Sequence, residues 1–140
     1  MWYNVFMKWI LRSPLHRMLS KNTLLITVTG RKSGRPITTP VNYVRIGSVL
    51  SVTSYRQRTW WRNLRGGSPV TVRLLGKDIH ATADVIEDDA GVSRGLMAHL
   101  QKVPEYAKYY QVSLDSGGQP VVADVARAAK DRVIVHVRLA

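Results

Sequence analysis

Cysteine is absent from this chain of 140 residues. The absence excludes disulfide bonds, metal sites built from thiolates and catalytic cysteine nucleophiles. The four histidines, His16, His80, His99 and His136, show none of the spacings that metal sites require. We therefore expect each histidine to lie on the surface or to be a hydrogen-bonded residue of the core, and the sequence predicts no metal site.

Acidic residues are absent from the first 77 positions, since the first carboxylate belongs to Asp78. That part of the chain contains 14 Lys and Arg and carries +14, whereas the remainder contains 7 Lys and Arg and 9 Asp and Glu and carries −2. Such a separation of charge indicates an anionic partner and says little about the fold. The candidate partners are a polyanionic cofactor, an anionic membrane surface and nucleic acid, of which nucleic acid is the least expected.

A long uninterrupted apolar run is also missing at the N-terminus. Residues 1–12 include Lys8 and Arg12, and Pro14 follows them. A secretory signal would keep its apolar run free of charge, and a membrane-spanning helix would need about 20 apolar residues, so this segment fits neither. We therefore expect a cytoplasmic protein, with contact to the inner face of the cell membrane as an alternative.

The same N-terminal segment is rich in aromatic side chains. Trp2, Phe6 and Trp9 recur at near-helical spacing, which predicts an amphipathic helix within residues 1–22. This helix either packs on the rest of the protein or lies on an anionic membrane through residues 1–19, because aromatic and basic side chains favour such binding. Both interpretations stay open on the sequence.

From residue 23 onward, apolar and β-branched residues alternate in short runs separated by turns. This period of two predicts six strands, at residues 24–29, 37–46, 49–54, 69–75, 78–87 and 132–139. Helical patterns occur at residues 59–65, 90–103, 106–110 and 121–130. The connections are short and no β-α-β repeat occurs, so we predict a single α+β domain over residues 1–140, built on a small antiparallel barrel with peripheral helices.

Two glycines and three cations occupy the turn between the first two predicted strands, Thr29-Gly30-Arg31-Lys32-Ser33-Gly34-Arg35-Pro36. Glycine permits the positive φ angles that aim successive backbone N–H groups at one point. The Arg and Lys side chains add donors suited to phosphate or carboxylate. The turn therefore predicts an anion site, and a hairpin with solvated charges is the alternative.

Three further motifs follow the turn in order, namely Thr38-Thr39-Pro40, Trp60-x-x-Asn63-Leu64 and Pro104-x-Tyr106-x-x-Tyr109. Together with the turn, this series resembles the deazaflavin-dependent nitroreductase family, whose members bind coenzyme F420 on a split β-barrel. The resemblance runs from about Leu24 to the C-terminus. It implies an FMN-binding-like split barrel and an oxidoreductase that transfers a hydride from reduced F420 to a quinone, a nitroaromatic or a similar planar acceptor.

The resemblance also implies which residues bind the cofactor. They are Arg31, Lys32, Ser33, Gly34 and Arg35 at a phosphate, Thr38, Thr39, Pro40 and Val41 at the ring, and Ser54, Trp60, Arg62 and Asn63 at the ring or tail. Tyr106 and Tyr109 resemble the tyrosines that face the acceptor, where a phenol can hydrogen-bond a nitro or carbonyl oxygen. Packing in the core is the alternative for both, because positions three apart share a helix face.

The segment after Ser54 departs from the family pattern. Residues 55–59 lack the Gly-Gly and Pro that relatives carry there, and Ile37 stands where many relatives have a basic residue. Arg56 and Arg58 are candidate substitutes for the missing contacts.

Other activities remain as alternatives. One is a split-barrel protein that binds FMN, haem or a lipid without F420 reductase activity. FMN is less expected, because one phosphate does not require as many basic residues as the chain offers here, namely Arg31, Lys32, Arg35, Arg56, Arg58 and Arg62. Another is a nucleic-acid or membrane-surface binding module, which the charge and the aromatic residues would suit. The chain shows no Ser-His-Asp set and no paired carboxylates. A homodimer is also left open.

Overall fold

The computed structural model describes residues 23–74 and 76–139. The predicted N-terminal helix of residues 1–22 and its membrane contact lie outside the described residues. Six strands are present, β1 Thr23–Thr29, β2 Pro36–Ile46, β3 Val49–Tyr55, β4 Ser68–Leu74, β5 Lys77–Ile86 and β6 Arg132–Leu139. The helices are α1 Asp89–Lys102, α2 Val122–Ala129 and two 3-10 helices, Trp60–Leu64 and Pro104–Tyr110.

The six strands form one closed antiparallel barrel in the order β1-β2-β3-β6-β5-β4. The first three strands form an antiparallel meander, and the pairing of β4 with β1, in which Thr27 lies opposite Thr71, closes the barrel. The predicted α+β barrel is therefore confirmed. Gly47 supports the tight turn between β2 and β3, since its φ of 63° belongs to the left-handed region that favours glycine.

The barrel interior is filled by the alternate residues that the period of two selects. Buried members of this core include Leu24, Ile26, Val28, Leu50, Val52, Val133, Val135 and Val137. Trp61 and Leu64 of the first 3-10 helix are also fully buried in the same cluster. Burying one such side chain contributes about 1.5–3 kcal/mol, so this core anchors the 3-10 helix firmly beside the turn between β1 and β2.

Helix α1 covers the outer wall of the barrel. Asp88 caps its N-terminus by accepting a hydrogen bond from the Gly91 backbone N–H at 2.8 Å. Gly95 lets the helix approach β6, because a Cβ there would lie 3.0 Å from Cγ1 of Ile134. This close approach brings His99, one turn further along, against β3. Within residues 23–74 and 76–139, no helix is long and apolar enough to cross a bilayer.

Candidate functional site

The turn between β1 and β2 is held by its own backbone. The Gly30 N–H donates to the Arg35 carbonyl at 2.9 Å, and the Gly34 N–H donates to the Gly30 carbonyl at 2.8 Å. Gly34 has a φ of 70°, and Ser33 Oγ accepts a hydrogen bond from the Arg35 N–H at 3.2 Å. The glycines are therefore needed by the turn itself, whatever it binds.

Asn63 fastens this turn to the first 3-10 helix. Its Oδ1 accepts a hydrogen bond from the Arg31 backbone N–H at 3.0 Å, and its Nδ2 donates to the Trp60 carbonyl at 3.0 Å. The Arg31 guanidinium donates to the Arg65 carbonyl and to Ser68 Oγ. Asn63 and the side chain of Arg31 therefore fix the position of the turn, in addition to any role toward a ligand.

Replacing Asn63 by alanine should destabilise the fold by about 1–2 kcal/mol, since two hydrogen bonds are lost and the Arg31 N–H loses its partner. Urea unfolding followed by tryptophan fluorescence measures the change. Gln57→Ala is the matched control, because Gln57 is an exposed amide on the loop that precedes the first 3-10 helix. Equal stability of the two variants would show that the turn does not depend on Asn63.

A cationic groove of about 580 Å³ lies beside the turn. Its walls include the four cations Arg31, Lys32, Arg62 and Arg65, together with Ser33 and Asn63, and none of the residues that line it is acidic. An anion in this groove would therefore meet a surplus of positive charge.

The four cations of the groove are not equally free. Arg65 makes a two-pronged ion pair with Glu87, with both N···O distances at 2.9 Å, and these hydrogen bonds hold the pKa of Glu87 below its usual value. The Arg62 guanidinium lies 5.7 Å from the centre of the Trp61 ring. Among the described residues, Lys32 forms no hydrogen bond or ion pair. Lys32 and Arg62 are thus the charges most available to a ligand.

A second cavity, of about 270 Å³, lies between β2, β3 and the second 3-10 helix. Four of the predicted cofactor-binding residues line it, Pro40, Val41, Ser54 and Trp60, and the predicted acceptor residue Tyr109 contributes from the second 3-10 helix. The second cavity adjoins the cationic groove along the chain, because Arg58 lines the cavity and the next residue, Thr59, lines the groove.

Arg132 supplies a fixed positive charge to the wall of the second cavity. Its Cζ lies 4.6 Å from the ring centre of Tyr55 and 4.9 Å from that of Tyr110. The guanidinium also donates to the Tyr55 hydroxyl at 3.1 Å and to the Ala128 carbonyl at 3.0 Å. No local pattern in the sequence marks this residue, since its partner Tyr55 is 77 positions away.

A third cavity, of about 280 Å³, is lined by Tyr106, Tyr109, Tyr110, Asn42, Thr23 and His99. It shares both Tyr109 and Tyr110 with the second cavity, so the two adjoin. In a 3-10 helix, residues three apart lie on the same side. The rings of Tyr106 and Tyr109 accordingly lie side by side, with centres 6.1 Å apart.

The three tyrosines of this cavity differ in environment. Tyr109 is 67% exposed, whereas the Tyr110 hydroxyl is hydrogen-bonded to Thr53 Oγ1 at 2.6 Å. Burial raises the pKa of Tyr106 and also that of Tyr110, which lies deeper in the protein. Tyr106 therefore keeps its proton at neutral pH and stays a hydrogen-bond donor. No motif in the sequence singled out Tyr110, although its position beside Tyr109 on a predicted short helix indicated that it would lie close by.

His99 forms the floor of the third cavity. Only 2% of its surface is exposed, and its Nδ1 lies 3.2 Å from Ser51 Oγ. The ring centres of Tyr106 and Tyr110 lie 6.3 and 6.1 Å from the imidazole. Burial lowers the pKa of His99 to about 4, so the ring is neutral at pH 7. The prediction of a hydrogen-bonded core histidine is confirmed here, but its place at the cavity was not foreseen.

Some of the predicted binding residues lie away from these three cavities. Gly34, Arg35, Thr38 and Thr39 line none of them. Thr38 Oγ1 is hydrogen-bonded to Thr27 Oγ1 at 2.9 Å, and Thr39 is only 3% exposed within the barrel wall. Any contact of Thr38 or Thr39 with a ligand would therefore have to come mainly from the backbone.

The two arginines proposed as substitutes for the missing family contacts separate in the structure. Arg58 lines the second cavity. The Arg56 guanidinium instead donates to the Glu87 carbonyl at 2.6 Å and lies 3.9 Å from Asp89, which secures the start of α1. Across the described ranges, no group of three or more metal-ligating side chains occurs.

A comparison with protein-family models matches residues 11–125 to the F420H(2)-dependent quinone reductase family. The chain belongs to this family. It is therefore an oxidoreductase, and its cofactor is F420. A search of curated proteins finds no match.

Solved structures share the fold of this F420H(2)-dependent quinone reductase family member at low identity. An FAD- and haem-binding protein from Mycobacterium smegmatis is 16% identical, with a TM-score of 0.53 over 92% of this chain and 67% of that one. A Listeria innocua protein provisionally assigned as a pyridoxamine 5′-phosphate oxidase is 14% identical, with a TM-score of 0.55 over 92% and 93%. A domain-swapped dimer is 18% identical, with a TM-score of 0.52 over 96% of each chain.

The residues of this F420H(2)-dependent quinone reductase family member fit the cofactor. F420 combines a flat ring with a phosphodiester and a polyglutamate tail, and it needs an anion-binding channel joined to a cavity for the ring. The cationic groove has four basic side chains and no carboxylate in its walls. The second cavity follows that groove along the chain and has Pro40 and Val41 in its walls.

Proposed function

We propose that this protein transfers a hydride from reduced F420 to a quinone or a similar planar acceptor, such as a nitroaromatic, bound in the third cavity. The observation that carries the proposal is the continuity of three features. A carboxylate-free cationic groove adjoins a cavity beside β2 and β3, which in turn adjoins a cavity lined by tyrosines. This order matches an anionic tail, a ring and an acceptor.

The cationic groove would hold the anionic part of the cofactor. Lys32 and Arg62 offer charges that no carboxylate occupies, and Ser33 and the backbone of the turn add polar contacts. Asn63 and Arg31 act mainly by fixing the turn, because their polar groups already bond the protein. The turn therefore binds through a preorganised scaffold, which limits the entropy lost on binding.

The second cavity would hold the ring. Pro40 and Val41 form one wall, and Arg132, fixed between Tyr55 and Tyr110, forms another. A cation held by its neighbours needs no rearrangement when negative charge develops on a bound ring. Arg58 lies at the side of this cavity that meets the groove.

The third cavity would orient the acceptor. When bound, reduced F420 supplies the hydride, so the chain itself needs no nucleophile. Tyr106 keeps its proton and would donate a hydrogen bond to an acceptor oxygen, where negative charge grows as the hydride arrives. The buried rings of Tyr110 and His99 would limit access of water and help to fix the acceptor plane, while Tyr109 lies at the exposed side of the cavity.

Two measurements test this proposal. Titration of the purified protein with F420, FMN and haem should give the highest affinity for F420, and that affinity should fall as salt rises, because charges drive part of the binding. Steady-state oxidation of reduced F420 by menadione and by a nitroaromatic should then show turnover. Equal or tighter FMN binding, or no turnover across a broad acceptor panel, would favour a binding protein for another ligand.

Replacing Lys32 by alanine should weaken F420 binding about tenfold to a hundredfold, the effect of losing one charge-assisted hydrogen bond of roughly 1.5–3 kcal/mol. The melting curve should stay cooperative, since Lys32 has no partner among the described residues. Fluorescence titration of the cofactor measures the affinity. Lys130→Ala removes an exposed charge outside the groove and serves as the control. Unchanged F420 affinity in Lys32→Ala would show that the turn is a hairpin with solvated charges and does not bind the cofactor through Lys32.

A further inference from the structure

A buried hydrogen bond joins the third cavity to a separate cavity on the outer wall of the barrel. This fourth cavity has a volume of about 550 Å³ and lies between α1 and strands β3 and β6. Ser51 lines the fourth cavity, while its hydrogen-bond partner His99 lines the third. Ser51 is 1% and His99 2% exposed, so the pair fills the wall between the two spaces.

We propose that Ser51 and His99 pass a proton from the fourth cavity to the acceptor oxygen in the third cavity, with His99 as the group that delivers it. This proposal rests on the proposed function, because it needs an acceptor bound beside Tyr106. His99 would be a catalytic residue in contact with the acceptor, and Ser51 would act through His99.

The fourth cavity suits the supply side of such a path. Asp88 and Arg94 line it and are exposed, so it opens to solvent. His136, which is half-buried, lies directly opposite Ser51 in the pairing of β3 with β6 and lines the same space. Polar side chains at the mouth and at the inner end offer hydrogen-bond partners to water that enters from solvent.

Each proton that leaves a group of this path is replaced by another. Transfer of a hydride puts two electrons and one hydrogen on the acceptor, whose oxygen takes a proton from Nε2–H of His99. In the same step Nδ1 of His99 takes the Ser51 hydroxyl proton, and Ser51 takes one from solvent in the fourth cavity. One proton returns to solvent as the cofactor is oxidised, so the overall reaction consumes none. Exchange with water after product release restores the starting tautomer.

His99 is better placed for this step than the tyrosines that surround it. The Tyr110 hydroxyl is committed to Thr53 at 2.6 Å. Among the described residues, the Tyr106 hydroxyl has no hydrogen-bond partner, so no protein group is in place to return a proton to it. His99 has one ring nitrogen on Ser51, which leaves Nε2 for the acceptor. Because the buried ring stays neutral, it must gain a proton at one nitrogen as it loses one at the other. A path with Ser51 on one side of the ring and the acceptor on the other allows this.

The first test compares two acceptors. Ser51→Ala should lower kcat for menadione at least about tenfold, and His99→Gln about a hundredfold, within the range of general acid catalysis. F420 affinity should be unchanged in both. A cationic phenothiazinium dye accepts a hydride without needing a proton, and Ser51 does not line the third cavity, so Ser51→Ala should reduce the dye at the rate of the unmodified protein. His99→Gln changes the wall of the acceptor cavity, so its rate with the dye should fall, but much less than its rate with menadione. Ser51→Thr keeps the hydroxyl and should restore menadione turnover.

His80→Gln is the matched control, because His80 is exposed on β5 and lines none of the four cavities. A second measurement needs neither cofactor nor turnover. Nitrogen NMR of the cofactor-free protein, with histidine labelled, should show His99 as the Nε2–H tautomer, and Ser51→Ala should shift its Nδ1 signal. The Nδ1–H tautomer would overturn the proposal, since Nε2 would then have no proton to give.

The outcomes separate the two proposals. If the unmodified protein reduces menadione and both variants do so equally well, the relay is wrong and the proposed function stands. An equal loss with the dye would make the pair merely structural and would likewise overturn the relay. If the unmodified protein oxidises no reduced F420, the proposed function fails and the relay fails with it. If His99→Gln does not fold, Ser51→Ala still allows the comparison of menadione with the dye.

Discussion

Replacing Tyr106 by phenylalanine should lower menadione turnover about a hundredfold and leave F420 affinity nearly unchanged, since one donor to developing negative charge is worth about 3 kcal/mol in the barrier. The ring is kept, so packing against His99 and Tyr109 is preserved. The hydroxyl that burial keeps protonated is lost. Steady-state rates with reduced F420 and a separate cofactor titration measure the two effects.

Tyr109→Phe is the matched control for this experiment. The sequence treats the two tyrosines alike, but Tyr109 is 67% exposed and its ring lies 5.3 Å from the Lys108 ammonium at the surface. A solvated hydroxyl stabilises charge much less than a shielded one, so Tyr109→Phe should lose only a few-fold in turnover. Equal losses of turnover in both variants, or full turnover in Tyr106→Phe, would show that the two hydroxyls do not differ in their effect on the reaction.

The second large effect concerns acid stability. The free energy of unfolding should fall by about 3 kcal/mol between pH 7 and pH 4 through His99 alone. Burial lowers the pKa of the folded state from 6.5 to about 4, so between these values the unfolded chain binds a proton that the folded chain does not. The stabilisation is complete above pH 6.5 and is lost as the pH falls toward 4.

Urea unfolding at several pH values measures this loss. Carboxylates also titrate in the range, so the informative quantity is the difference between the unmodified protein and His99→Gln, which should shrink as the pH falls. His80→Gln, at an exposed histidine, should run parallel to the unmodified protein. A constant difference between His99→Gln and the unmodified protein at every pH would contradict a neutral buried His99.

The local sequence pattern was sufficient to predict the barrel. Each strand and helix predicted from residue 24 onward lies within one residue of its observed bounds, except the second 3-10 helix, which begins two residues earlier than predicted. The reason is that the alternation of side chains along a strand and the conformational preferences of glycine act over a few residues. The glycines of the turn between β1 and β2 could be interpreted in the same way, because their hydrogen bonds close within that turn.

The roles of the individual cations could not be obtained from the sequence. Arg56 and Arg65 are used by Glu87 and its neighbours, which follow them by more than 20 positions, whereas Lys32 is left available. A count of charge identifies the anionic partner but does not distinguish a free cation from a paired one. Pairing depends on distances of a few ångströms that chain separation does not report.

The sequence by itself determined the closed barrel fold, the charge of the groove and, through its ordered motifs, the F420 family. Tertiary structure alone decided which side chains meet. Arg132 reaches Tyr55 across 77 positions, Asn63 reaches Arg31 across 32, and His99 reaches Ser51 across 48. The physical reason is that periodicity and propensity are properties of neighbouring residues. Contacts across the barrel wall depend instead on strand order, register and the seating of α1, which arise only when the whole core packs.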